Sequence, residues 1–210
     1  MRKIYLLSPS NKANIISIPT IQFDFFVKSV DFENVDILIF TSKTGVQALN
    51  KISKDWQKIP AISVGKKTAD EVAKYGGKNI FSSKKFYGDI LAYDILNKFS
   101  DKKLLYIRPE IVASNLIDIL KKHNAQLSEK ILYRTVCKEF SEKFYSPIFI
   151  VTSPSTLKCL LEKEIPDDSI FVAIGETTFK EIPEKYDRFT AKAQTIESCI
   201  SLARALRLSY

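Results

Sequence analysis

Ile39-Phe40-Thr41-Ser42 returns 111 residues later as Ile150-Val151-Thr152-Ser153. Ser63-Val64-Gly65-Lys66-Lys67-Thr68 returns 110 residues later as Ala173-Ile174-Gly175-Glu176-Thr177-Thr178. Leu6-Leu7-Ser8-Pro9 has a weaker echo in Tyr106-Ile107-Arg108-Pro109. Two motifs in the same order, at almost the same offset, indicate two copies of one unit. In each copy an apolar run ends in hydroxyls or glycine, and a helical pattern follows.

Working outward from these motifs, unbroken apolar runs occur at Ile4–Leu7, Ile37–Phe40, Ala61–Val64, Leu104–Ile107, Ile148–Val151 and Phe171–Ile174. Such runs mark strands buried on both faces. Between them lie helical spacings: Val46, Leu49 and Ile52; Ile90, Leu91, Ile95 and Leu96; Leu116, Ile119 and Leu120. Strand alternating with helix predicts an α/β fold with parallel sheets. Two segments depart from that rhythm. Ile15 to Phe23, with Pro19 inside it, and Lys130 to Cys137 alternate as extended chain. Paired, they make a two-stranded β connector with linkers at 15–23 and 130–137. Residues 22–132 then form an inserted α/β domain, and 1–18 with 138–210 a discontinuous one, with a cleft between the two.

A chain of 210 residues suits one large domain or two small ones. Its 6 Gly and 8 Pro exclude collagen-like or disordered chains. The net charge of +8 attracts anions. The basic residues are scattered, in pairs such as Lys66-Lys67, Lys84-Lys85, Lys102-Lys103 and Lys121-Lys122, as on solvated helix faces, so no nucleic-acid partner is expected. No run approaches the ~20 apolar residues of a membrane span, and the first apolar run is too short for a signal peptide. Cys137, Cys159 and Cys199 are odd in number and form no CxxC pair, which argues against a disulfide framework or zinc site. Free thiols fit a reducing compartment, hence a cytoplasmic protein without a membrane partner. Nothing in the chain demands more than a monomer.

Ligands of open parallel sheets bind beyond the carboxyl ends of the strands. Four such ends here carry Thr41-Ser42, Gly65 to Thr68, Thr152-Ser153-Pro154-Ser155 and Gly175 to Thr178. Each begins a helix, so hydroxyls meet free N–H groups at a positive dipole end, as an anion site requires. Plain helix capping would also explain these Ser and Thr residues. There is no GxGxxG or P-loop pattern. The single histidine, His123, sits where a helix C-terminus is expected and suits its dipole. No hydrolytic triad or metal cluster is visible.

The ordered set Phe40-Thr41-Ser42 with Val46, Val64-Gly65-x-x-Thr68-Ala69, Leu132-Tyr133-x-Thr135, Thr152-Ser153-Pro154-Ser155 and Ala173-Ile174-Gly175-x-Thr177-Thr178 resembles uroporphyrinogen-III synthases. The resemblance implies two flavodoxin-like domains joined by a β-ladder, with the active site in the cleft. It implies a linear tetrapyrrole polycarboxylate, hydroxymethylbilane, as substrate. That substrate is dehydrated, closed and inverted at its last ring to give uroporphyrinogen III, with no cofactor or metal. Tyr133 matches the family's linker tyrosine, thought to assist departure of the hydroxyl; packing in the connector is its other reading. Thr68 and Thr178 match the family's cleft threonines. Thr41, Ser42, Thr152, Ser153 and Ser155 match its strand-end hydroxyls, and Gly65, Gly175 and Thr177 belong to the same motifs.

The chain departs from the family at two places. Ser8-Pro9 stands where many members carry Arg-Pro, and Phe179 follows Thr178 where a small residue is usual. Arg108, at a strand end, is a candidate partner for a carboxylate, while Arg134 reads as a solvated surface residue. A hinged, non-catalytic binder of a small polyanion is the competing reading.

Overall fold

The computed structural model describes residues 2–83, 88–112 and 114–209; the Lys84-Lys85 pair lies outside them. In chain order the elements are β1 (Ile4–Leu6), β2 (Ile16–Ser17), β3 (Ile21–Phe25), β4 (Ile37–Phe40), α1 (Lys43–Ile52), β5 (Ala61–Val64), α2 (Gly65–Lys74), β6 (Asn79–Ser83) and α3 (Gly88–Lys98). There follow β7 (Leu104–Pro109), α4 (Leu116–Lys122), β8 (Leu127–Cys137), β9 (Ile148–Val151), α5 (Pro154–Leu161), β10 (Ile170–Ala173), α6 (Glu176–Phe179), β11 (Asp187–Thr190) and α7 (Ile196–Ser209). The chain divides into two compact units. The first is Met1–Gln22 with Thr135–Tyr210, and the second is Phe23–Arg134.

One sheet has the order β11-β10-β9-β1-β2, and the other β3-β8-β7-β4-β5-β6. The pairings among β1, β2, β9, β10 and β11 are parallel, as are those among β4 to β8. Each of the six apolar runs is a strand, and the chemistry follows from burial on both faces. In the first unit Tyr5, Phe149 and Phe171 pack on one face of the sheet, and Ile4, Leu6, Ile148 and Ile150 on the other. In the second, Leu38, Phe40, Leu105 and Ile107 face one core, and Ile37, Ile39, Leu104 and Tyr106 face the other. Each fully buried side chain of this size contributes about 1.5–3 kcal/mol. β6 and β11 close one edge of each sheet. Their sequences, Asn79-Ile80-Phe81-Ser82-Ser83 and Asp187-Arg188-Phe189-Thr190, are partly polar because an edge strand is only partly covered.

The two segments read as a connector are extended, and both are absorbed into sheets. Ile16 and Ser17 pair with Tyr5 and Leu6 of β1. Past Pro19, which has no N–H to donate, Ile21–Phe25 becomes the edge strand beside β8. The boundaries between the units fall in these neighbouring strands, after Gln22 and after Arg134.

The expectation of three free thiols does not hold. Cys137, at the end of β8, is disulfide-bonded to Cys159 of α5, and Cys199 is the free, buried thiol. The bonded pair lies 22 residues apart in sequence. Spacing alone could not show that a strand end meets a helix there. Among the described residues no helix is long and apolar enough to cross a membrane.

Candidate functional site

In the second unit β4 ends at Phe40, and the strand's alternation continues one residue further. Phe40 points into one core, so Thr41 turns toward the other face of the sheet. Thr41 Oγ1 lies 2.8 Å from the hydroxyl of Tyr106 on β7. Ser42 then caps α1 from an extended conformation, accepting the Gly45 N–H at Oγ over 3.2 Å. The same Oγ lies 2.8 Å from the hydroxyl of Tyr133 on β8. Two consecutive hydroxyls are thus each backed by a buried tyrosine, one belonging to each core of the sheet.

Tyr133 reaches this place through an irregularity. Arg108 pairs with Ile131, but Pro109 pairs with Tyr133, leaving Leu132 unmatched. Two residues of β8 then oppose one of β7, as in a β-bulge. Leu132 and Tyr133, adjacent in sequence, both face the core that holds Phe40 and Val46. A regular strand would send them to opposite faces. Phe23 and Phe25 of β3 flank the Tyr133 ring, with centroids 5.6 and 5.9 Å away. Both phenylalanines remain more than a third exposed, and Lys51 Nζ lies 4.3 Å over the Phe25 ring.

Burial pushes the Tyr106 phenol up to about 12, against the opposing hydrogen bond from Thr41. Burial likewise raises Tyr133 above the ordinary value of 10, against the bond to Ser42. Both phenols therefore keep their protons at neutral pH.

The Gly65 motif works through backbone. Gly65 has φ of +68°, which lets β5 turn directly into α2 with no intervening loop. No side chain caps this helix, and Thr68 is buried in its first turn. Its counterpart Gly175 has extended backbone, which any residue can adopt, and only the end of the exposed Gln194 side chain lies close to it. A methyl there would stand 3.0 Å from Gln194 Nε2.

In the first unit Ser153 caps α5 within a closed capping box. The Ser153 N–H donates to Thr156 Oγ1 at 3.2 Å, and the Thr156 N–H returns to Ser153 Oγ at 3.3 Å. Thr156 Oγ1 also donates to the Ser153 carbonyl, and Thr20 Oγ1 to the Thr156 carbonyl. Thr152 is half-buried and Ser155 exposed. In the short α6, Thr177 is exposed and Thr178 buried, its N–H donating to the Gly175 carbonyl at 3.1 Å. Phe179 packs against the core beneath, with the Arg188 guanidinium 4.8 Å from its ring.

Arg108 is already engaged. Its guanidinium donates to Glu129 at 2.8 Å and to the carbonyls of Pro109 and Glu110 at 2.9 Å. Burial pushes the Glu129 carboxyl up, but Lys121 and Arg108 outweigh that and hold it below its usual range. Arg134 pairs with Asp24 at the surface. His123 caps the end of α4, its Nδ1 2.9 Å from the Ile119 carbonyl oxygen. Among the described residues no group of three or more His, Cys, Asp or Glu side chains is placed to hold a metal ion.

The sequence reading passed over three residues of this site: Tyr106, Phe23 and Phe25. Tyr106 was hidden inside an aliphatic run, although a buried tyrosine hydroxyl needs a partner. Phe23-x-Phe25 carried the signal of a strand with one aromatic face.

A family model described as uroporphyrinogen-III synthase HemD matches residues 9–201. Among solved structures, a uroporphyrinogen-III synthetase from Helicobacter pylori 26695 superposes with a TM-score of 0.85 at 25% identity, covering 99% of this chain and 100% of the other. A mutant uroporphyrinogen III synthase from the extremely thermophilic bacterium Thermus thermophilus superposes with a TM-score of 0.57 at 12% identity, covering 99% and 100%. That second likeness speaks to the fold alone. No curated protein matches.

Proposed function

The chain belongs to the uroporphyrinogen-III synthase family, and on that premise we propose that it converts hydroxymethylbilane to uroporphyrinogen III. Water is lost, the ring closes, and the last pyrrole is inverted. The enzyme is then a cyclising hydro-lyase of tetrapyrrole and haem formation, acting as a monomer in the cytoplasm without metal or cofactor. In that compartment thiols are kept reduced, so the Cys137–Cys159 bond is the feature most sensitive to its surroundings.

The observation that carries the reading is the Ser42–Tyr133 pair. It sets a hydroxyl, backed by a protonated phenol, at the N-terminus of a helix. Departure of a hydroxyl needs a proton donor, which typically contributes 10²–10⁴-fold. Developing negative charge on the leaving oxygen suits the amides and the dipole at the start of α1. The substrate's carboxylates suit a chain of net charge +8 and the remaining strand-end groups: Thr41, Gly65 and Thr68 in one unit, and Thr152, Ser153, Ser155, Gly175, Thr177 and Thr178 in the other. Arg108, held at its strand end by Glu129 and two carbonyls, joins these groups as a further cation for a substrate carboxylate.

The bilane also closes unaided, to the uninverted isomer I, so much of the work is positioning. Well-oriented intramolecular reactions gain up to roughly 7–11 kcal/mol in this way. The test is to supply fresh hydroxymethylbilane, oxidise the product and resolve the uroporphyrin isomers. Dominant isomer III is the expected result. Isomer I alone, at the spontaneous rate with folded protein, would overturn the reading in favour of a non-catalytic polyanion binder.

A further inference from the structure

The hydrogen bonds around Ser42 can be counted. Its Oγ offers two acceptor sites and one proton. The Gly45 N–H occupies one acceptor site, and the Tyr133 hydroxyl stands 2.8 Å away. If Ser42 donated to Tyr133, the phenolic proton would need another acceptor. Tyr133 is 3% exposed, and among the described residues Ser42 is the one hydrogen-bond partner of its hydroxyl. A buried donor left unpaired is costly. The arrangement that pairs every group has Tyr133 donating to Ser42. Both acceptor sites of Ser42 are then filled, and its own proton must point elsewhere. Ser42 is half-buried, so that proton has somewhere to go. The phenol ring does not: Phe23 and Phe25 flank it, and it shares a core with Phe40, Val46 and Leu132.

We propose that Ser42, not Tyr133, meets the departing hydroxyl of the substrate, and that Tyr133 acts through Ser42 as a positioning residue and proton reserve. The inference rests on the synthase reading above. In the step, the pyrrole nitrogen lone pair pushes out the hydroxyl, and the C–O bond breaks with its electron pair going to oxygen. The Ser42 proton passes to that oxygen, making water. The Tyr133 proton passes to Ser42, leaving a phenolate for the lifetime of the cationic intermediate. When ring closure is complete, the newly bonded pyrrole carbon loses its hydrogen as a proton. That proton restores the phenol, so one proton is taken and one returned.

The test uses the full chain with hydroxymethylbilane. It reads kcat, KM, the isomer ratio and the dependence of rate on the D₂O fraction. Ser42→Ala should lower kcat by about 10²–10⁴-fold with little change in KM. Ser42→Asn, which still caps α1 but has no hydroxyl, should fall as far. Ser42→Thr, which keeps both, should recover most of the rate. The double variant Ser42→Ala/Tyr133→Phe should be no slower than Ser42→Ala, since groups acting in series are not additive. The rate should curve with D₂O fraction in the wild type, where two protons move, and become linear in Tyr133→Phe. Wild-type turnover with Ser42→Ala and Ser42→Asn, beside a large loss in Tyr133→Phe, would overturn the inference alone. So would additive losses in the double variant. Isomer I alone from the wild type would overturn the synthase reading and this inference with it.

Discussion

Ser42 and Ser153 occupy matching places in the two units. Each follows a four-residue apolar strand and a threonine, and each caps the helix that comes next. They differ in what holds them. Ser153 is closed on itself: Thr156 sits three residues along, and the two exchange backbone and side-chain hydrogen bonds. Ser42 is held from 91 residues away in sequence, by a tyrosine of another strand. A cap satisfied within its own turn stabilises the helix. A cap whose second acceptor site is filled from outside has a proton left to offer. One repeated motif thus supports two jobs, and the neighbouring strand decides which.

The largest effect should come from breaking the second arrangement. Removing the hydroxyl of Tyr133 (Tyr133→Phe) should cost turnover about 10²–10⁴-fold, the scale of general acid catalysis, without lowering the melting temperature. Ser153→Ala, assayed in parallel, should raise KM far more than it lowers kcat. Equal losses of kcat in the two would erase the distinction between the units.

The disulfide touches only the first unit. Reducing Cys137–Cys159, or replacing Cys137 with Ser, opens a loop spanning 22 residues and should cost about 3 kcal/mol in the chain-entropy account. Hydrogen exchange should then quicken in β9 and α5 while β4 and α1 keep their protection. Uniform loss in both units would show them coupled in folding.

Alkaline titration should test the two phenols behind the strand-end hydroxyls, in a molecule whose first unit also carries raised groups, Tyr5 and Cys199. Tyr106 titrates near 12 when folded, and Tyr133 is also raised, whereas an unfolded tyrosine titrates near 10. Between these values the folded state binds more protons than the unfolded one, so stability must fall as pH rises. The part these phenols contribute should be full below about pH 10 and decline from there toward about 12. Tyr106→Phe should flatten that decline.

Smaller effects complete the series. Ser153→Ala should lower stability by about 0.5–2 kcal/mol, the usual worth of a cap, as read by thermal melting. Thr68→Ala and Thr178→Ala should each cost activity a few-fold, because many weak contacts share the substrate. A loss beyond about 10³-fold, the scale of a single oxyanion donor, would make either threonine a principal group.

Much of the fold was legible because central strands of parallel sheets must be apolar on both faces. All six such runs are strands, and the strand-end hydroxyls stand where ligands of such sheets bind. Edge strands escape that logic, so β6 and β11 were not seen. At the site, Ser42 could be located but its partner could not. The pairing depends on which face of β8 Tyr133 takes, and the bulge at Leu132 inverts the face that alternation predicts. The position of Arg108 at a strand end was likewise readable, but its ion pair with Glu129 was not. Sequence spacing also could not bring Cys137 to Cys159, since one lies on a strand and the other on a helix.

The bulge at Leu132 also bears on heredity. β8 carries one residue more than its neighbour uses, and the kink absorbs it. Deleting Leu132 would forfeit a buried side chain, yet by register it would leave Tyr133 opposite Pro109 and still facing Ser42. Descendants of an ancestral gene can therefore gain or lose a codon here while keeping the phenol in place. Counting residues along such chains will misalign them, whereas counting the faces of the strand will not.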